Sequence, residues 1–193
     1  MVLNHLLTYH EKRARLEKVN MVVGAFFTQV GHYLLAYLST HDPQQKDLGA
    51  ELKFDGKWDD SKFEQLRMRL RSYTFSFQTN EETLKGLHEF LQKNRAFLLR
   101  LLENPNVLEH KSFSNLLLAS FHLCEELQSR NTFSDLPVTD HQHLAIDIKR
   151  VYKLLVMEWL LYINHLRKNY PYFFSHAMRT NPFDEDASPI VVD

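Results

Sequence analysis

Glycine and proline are scarce in this chain, at 5 and 6 of 193 residues, and cysteine occurs once. So few breakers leave few places to turn, which predicts long elements and favours helices over strands. The lone Cys124 excludes an intramolecular disulfide and fits a reducing compartment. Its surroundings, LLLASFHLCEELQ, supply no basic partner to activate the thiol, so it reads as a core residue. Five scattered glycines spell neither G-x-G-x-x-G nor a Walker pattern, which removes the common phosphate loops. No serine sits on a strained strand-to-helix turn, and no tandem repeat or low-complexity tract occurs. An excess of one charge is missing too. Lys and Arg total 23 against 24 Asp and Glu, a formal net charge of -1, so no global field draws the chain to nucleic acid. Catalysis has no motif to rest on.

What is present is an ordinary globular composition, 44% hydrophobic and 24% charged. The length suits one domain, here residues 1–183, followed by a flexible acidic and aliphatic tail over 184–193. Histidine is over-represented at 11 residues, and ordinary imidazoles would swing the net charge positive between about pH 7 and pH 5.5.

Hydrophobic spacing predicts an all-α antiparallel bundle of about five long amphipathic helices with a short C-terminal capping helix. The first runs from about Leu3 to Ser39, with Val19, Val23, Phe26, Val30, Tyr33 and Tyr37 on one stripe. Gly24, Thr28 and Gly31 lie on another face, suited to close approach of a neighbouring helix within the chain or of a second copy. Residues 19–40 carry no Asp, Glu, Lys or Arg, long enough for a membrane span. Asn20, Gln29 and His32 interrupt that run and favour a buried helix instead. The apolar start before EKRARLEK is too short for a secretory signal.

Asp42-Pro43 ends the first helix, and Leu52, Phe54 and Trp58 alternate around Asp55-Gly56 as a tiny hairpin or an ordered loop. A second helix opens near Asp60, with TFSFQ after it ambiguous in state. Thr79 with Glu82, and Thr139 with Gln142, are spaced as capping boxes for the third and last helices. The fourth begins near Ser112 and buries Phe113, Leu117, Phe121, Cys124 and Leu127. Arg67, Arg69 and Arg71 with Lys62 read as a solvated basic face.

One constellation carries chemistry. His122 and Glu126, and again His143 and Asp147, stand at i, i+4, while Glu158 and His165 follow on the side of Asp147. Helix bundles build di-metal sites from such inward carboxylates and histidines, so these six are the candidate ligands for iron, manganese or zinc. The duplicated Glu-x-x-His and the His-x-x-x-His of known bundle sites are absent, and solvated ion pairs are the competing reading.

Three segments, EKVNMVVGAFFTQVG, NPNVLEHKSFSNLLLASFHLCEEL and HLAIDIKRVYKLLVMEWLLYINHLRKNYPYFFSHAMRTNPFD, together resemble a family of prokaryotic helical proteins of unknown function. The resemblance spans most of the chain and carries no catalytic residues. It implies a cytoplasmic helical domain, often placed after an N-terminal membrane helix, and this sequence begins where such a helix would have ended. In that setting NYPYFFSHAMRTNPFD is a cap, with Tyr172, Phe173 and Phe183 folded onto the bundle end and Arg179, Asn181 and Asp184 holding a turn. A docking face for a partner or for lipid headgroups is the alternative use of the same aromatics, Phe174 included.

The expectation is a non-enzymatic cytoplasmic interaction or signalling module. Its contact surfaces are the Gly24–Gly31 face and the aromatic terminal segment. Its partner is another protein or a second copy, with the membrane surface as a further contact and no cofactor. The alternative is the metal-binding bundle. Ligand sensing in an apolar pocket stays a third option.

Overall fold

The computed structural model describes residues 17–108 and 110–191. The expected start of the first helix at Leu3 lies outside them. The domain is all-helical, and no β-strand occurs among the described residues.

Helix α1, Glu17–Thr40, contains a π turn at Phe27–Gly31. A π turn inserts one residue and rotates everything beyond it by roughly 100°. The stripe Val19, Val23, Phe26 and Val30 is buried as predicted, but the buried positions after the turn are Leu34, Leu35 and Leu38. Tyr33, expected in the core, is 50% exposed and stacks on Phe90. Tyr37 is half-buried and donates its hydroxyl to the Thr83 carbonyl at 2.8 Å. No periodicity argument on a regular helix could have found that phase change.

Gly31 is where the turn needs a missing side chain. A Cβ there would stand 2.5 Å from Phe27 Cδ1, and Phe27 in turn stacks on Tyr162 at 4.9 Å. Gly31→Ala is therefore expected to push Phe27 off Tyr162 and destabilise the fold by about 1–3 kcal/mol. An unfolding free energy from urea denaturation lowered by less than a few tenths of a kcal/mol would show the ring has room to give.

The connection after α1 folds as a short helix and a loop, not a hairpin. α2 spans Gln45–Leu52, and Asp55 then closes the turn by accepting the Lys57 amide at 2.8 Å. α3 spans Asp60–Arg71, capped by Asp59 accepting the Lys62 amide at 2.9 Å. The ambiguous TFSFQ is neither helix nor strand: its alternation buries Phe75 and Phe77, and Gln78 donates its amide to the His41 carbonyl.

α4, Glu81–Leu102, buries Leu84, Leu87, Leu91, Asn94, Leu98 and Leu101 as expected. Its capping box is displaced by one residue from the expected Thr79–Glu82. Asn80 is the extended N-cap, and its side chain and that of Thr83 exchange bonds with each other's amides, both at 2.9 Å. α5 is the single turn Pro105–Leu108. α6 spans Lys111–Gln128 and α7 spans Val138–Asn169, 32 residues. Phe121, expected in the α6 core, is half-buried, while Leu116, Ser120 and Leu123 are buried. The expected Thr139–Gln142 box does not form. Pro137 is the extended residue before α7, so Thr139 already lies in the first turn and cannot be the N-cap.

α7 is the spine of the domain, packed by α1, α3, α6 and α8, while α4 covers the other side of α6. α8 spans Pro171–Arg179, with Pro171 as its first residue and Tyr170 as the non-helical residue before it. The chain then turns back onto the bundle. Asn181, 2% exposed, donates to the Leu52 carbonyl at 2.9 Å and accepts the Phe183 amide at 3.0 Å. The start of the segment read as a tail is tied down: Lys53 pairs with Asp184 at 2.7 Å and Asp186 at 3.3 Å, and Arg179 donates to the Pro189 carbonyl at 2.6 Å.

Candidate functional site

Four of the six predicted histidine and carboxylate residues meet on the flank between α6 and α7. Both helices bury one apolar side in the core, α6 through Phe113, Leu117 and Leu127 and α7 through Leu144, Ile148 and Val151. That fixes His122 and Glu126 beside His143 and Asp147. Asp147 Oδ2 lies 3.5 Å from His122 Nε2 and 3.6 Å from His143 Nε2. Glu126 reaches His143 Nε2 at 3.4 Å through Oε2 and His122 Nε2 at 3.9 Å through Oε1. Asp147 is 4% exposed, and its Oδ2 has no hydrogen-bond partner.

Three residues outside the sequence prediction complete the surroundings. Arg130 holds Asp140 through two bonds, at 2.6 and 2.8 Å, and Glu126 Oε2 through a third at 3.1 Å. Arg150 pairs with Asp147 Oδ1 at 3.3 Å. The Arg130 guanidinium, more than His143, keeps the Glu126 carboxyl below the usual glutamate range, against the opposing effect of burial. Arg130 four residues after Glu126 was a readable ion-pair signal; Asp140, across a loop, was not.

Glu158 and His165 stand apart from this group. Helical rise puts Glu158 about 16 Å and His165 about 27 Å along α7 from Asp147. Glu158, 4% exposed, faces the N-terminus of α6, 3.9 Å from His110 Nδ1. Burial pushes its carboxyl up, opposed by a hydrogen bond from Ser112 and by His110. His165 lies between Asn20 and Asn169, at 3.3 and 3.1 Å, and burial lowers its pKa. The six-residue site therefore resolves into one group of four and two separate positions. The shared side of α7 was real, but the helix is too long for one centre.

Gly24 faces the Tyr162 ring, with the hydroxyl 3.5 Å from a notional Cβ, and Gly31 is filled by Phe27, so both meet internal neighbours. Thr28 is exposed and donates to the Gly24 carbonyl at 2.9 Å. The terminal aromatics divide into two sets. Phe174 and Phe183 are buried, Phe183 edge-on to Trp159 at 5.1 Å and Phe174 stacked on Phe54 at 5.6 Å. Tyr172 and Phe173, expected to fold onto the bundle end, stand 93% and 65% exposed. A nine-residue helix offers one narrow stripe to the core, and Phe174 takes it. Beside Phe173 a groove of about 480 Å³ opens between α1, α7 and α8, lined by Phe27, Trp159, Tyr162, Leu166 and Ala177. Burial of Cys124 pushes its thiol up to about 11, so it is no nucleophile near neutral pH.

A family model for the uncharacterized protein MJ1433, C-terminal helical domain, matches residues 15–179. The uncharacterized protein MJ1433 of Methanocaldococcus jannaschii is 44% identical over 193 residues, covering all of this chain and 77% of that protein. No solved structure matches the chain.

Proposed function

The chain belongs to the MJ1433 C-terminal helical domain family, and from that premise we propose that it is a non-enzymatic interaction module that docks a second copy of itself through α8. The observation that carries this is the pair Tyr172 and Phe173, two rings turned to solvent on a helix whose other side is already packed. Large aromatics in that position are the usual anchors of protein contacts. The groove beside them supports a second copy as the occupant. Projecting rings next to an aromatic-lined depression form a self-complementary surface, which a twofold interface uses twice.

Cys124 and the absence of any possible internal disulfide support a reducing, cytoplasmic setting. Glu17–Thr40 is one helix long and apolar enough to cross a membrane, with 44% of its apolar window buried in the bundle. Its apolar stripe is used in the core, so α8 and not α1 is the surface proposed for docking.

Sedimentation of the 193-residue protein over a concentration series tests this. The native chain is expected to dimerise, and Tyr172→Ser with Phe173→Ser to weaken the dimer by roughly 30-fold or more, the scale of losing an aromatic anchor. The folded monomer should keep its melting temperature, since both rings are exposed. A native chain that stays monomeric, or a variant that dimerises equally well, overturns the proposal. Vesicle binding lost in the same variant, with no dimer, would assign the surface to lipid.

A further inference from the structure

Among the described residues no group of three His, Cys, Asp or Glu side chains could hold a metal ion, and the Glu126 oxygen 3.4 Å from His143 is the one that Arg130 holds. His122 and His143 therefore stand in histidine–carboxylate contacts and not around a cation. Another pair of histidines lacks even that partner. His32 on α1 and His176 on α8 both line the groove beside Phe173.

The third titratable group lining that groove is Tyr162 of α7, and burial raises its pKa, so it stays neutral. Thr28 and Thr180 direct their hydroxyl protons to the Gly24 and His176 carbonyls, at 2.9 and 3.0 Å. No carboxylate lines the groove. α8 contains none, and Glu17, the only one in α1, lies about 22 Å from His32 by helical rise. Glu158 of α7 faces α6 instead. Arg179, one turn beyond His176, adds a standing positive charge while donating to the Pro189 carbonyl. Desolvation, and then the neighbouring His176, hold the His32 imidazole below the ordinary histidine range.

Resting on the α8 contact proposed above, we infer that protonation of His32 and His176 opens that contact, so that two copies hold together near neutral pH and separate in acid. His176 follows Phe173 by three residues and Tyr172 by four, so its imidazole shares one face of α8 with the docking rings. A twofold contact uses that face twice. Seating Phe173 in the groove of a second copy carries its own His176 toward that copy's His32 and His176. Four imidazoles then meet on a surface without a counter-charge. Neutral, they can be covered by aromatic rings; protonated, they are like charges that lose water without gaining a partner. The dimer thus binds fewer protons than two free chains. Its association weakens as pH falls through the histidine range, and for the lowered His32 that window lies below about 6.5.

Sedimentation equilibrium of the 193-residue protein at pH 8 and pH 5.5, at one ionic strength, tests this, with circular dichroism checking the fold at both. The dissociation constant is expected to rise by about tenfold or more in acid, since about half a pKa unit at each of four imidazoles is enough. His32→Gln with His176→Gln should cut that ratio to less than about threefold, whatever its affinity at pH 8. His88→Gln, on α4, is the control and should keep the native ratio. If the double variant does not associate at all, imidazole titrations of the native chain by NMR decide the matter: both groups should titrate lower at high protein concentration than at low. Equal dissociation constants at the two pH values, tighter association at pH 5.5, a native ratio in the double variant, or titrations independent of concentration each overturn the inference and leave the dimer itself standing. A native chain monomeric at pH 8 overturns both.

Discussion

Replacing Phe183 with alanine is expected to destabilise the protein by about 3–5 kcal/mol, the usual range for an aromatic removed from a packed core. Phe183 is 4% exposed and lies edge-on to Trp159 at 5.1 Å. Its backbone is locked as well. Asn181 accepts its amide, and its carbonyl oxygen passes 2.9 Å from where a Cβ on Gly49 would stand. Glycine is needed at 49 because another strand of backbone runs against it there. The cap therefore joins α2 and the end of the chain to α7 at one point. Loss of the ring should increase amide exchange in α2 along with the global loss, because Asn181 also holds the Leu52 carbonyl. Tyr172→Ala, removing a ring that is 93% exposed, should change stability by less than about 0.5 kcal/mol. Urea denaturation of the two variants checks the contrast. A Phe183→Ala loss below about 1 kcal/mol would mean that the cap is an ornament on a bundle stable without it.

The same segment marks where the sequence was legible and where it was not. Pro171 at the first position of α8 and the turn-holding roles of Arg179, Asn181 and Asp184 follow from residue chemistry, and each is in place. Which of four neighbouring aromatics faces inward does not follow, because a two-turn helix can rotate to bury any of them. Packing against Phe54, a residue more than 100 positions away in sequence, makes that choice. The core face of α4 was readable for the opposite reason. It is a long regular helix, and its apolar period survives unbroken from Leu84 to Leu101. α1 has an equally clear period, yet one inserted residue at the π turn moves Tyr33 outward.

The polar group between α6 and α7 divides in the same way. Each i, i+4 pair was visible within its own helix. That the two pairs face each other depends on the register set by the loop 129–137, which spacing within a helix does not encode. Extending the side of α7 to Glu158 and His165 ignored its length, since residues sharing one stripe of a long helix meet different neighbours. Glu158 meets the first turn of α6, where Ser112 and His110 sit.

That placement gives Glu158 a consequence of its own. Glu158→Gln is expected to be more stable than the native protein at pH 8, by about 1–3 kcal/mol, the scale of a buried polar group short of partners. The advantage should vanish near pH 4. Burial raises the carboxyl's pKa in the folded state, more than the Ser112 hydroxyl and His110 lower it. The unfolded chain releases this proton near the ordinary glutamate value of about 4.3. Between that value and the higher folded one, the native state binds more protons than the unfolded state, so stability falls as pH rises. Above the folded value the full penalty is present. Glutamine keeps an oxygen for Ser112, never ionises and escapes this slope. His110 offers the carboxylate little relief: its Nδ1 accepts the Phe113 amide at 3.4 Å, and in that tautomer it carries no proton toward Glu158. The positive end of α6 is the remaining compensation, and it acts against the effect. Urea midpoints at pH 4 and pH 8 for the two proteins decide it. A difference that stays constant with pH, or one favouring glutamate at pH 8, would mean that the α6 N-terminus holds Glu158 ionised as a structural counter-charge.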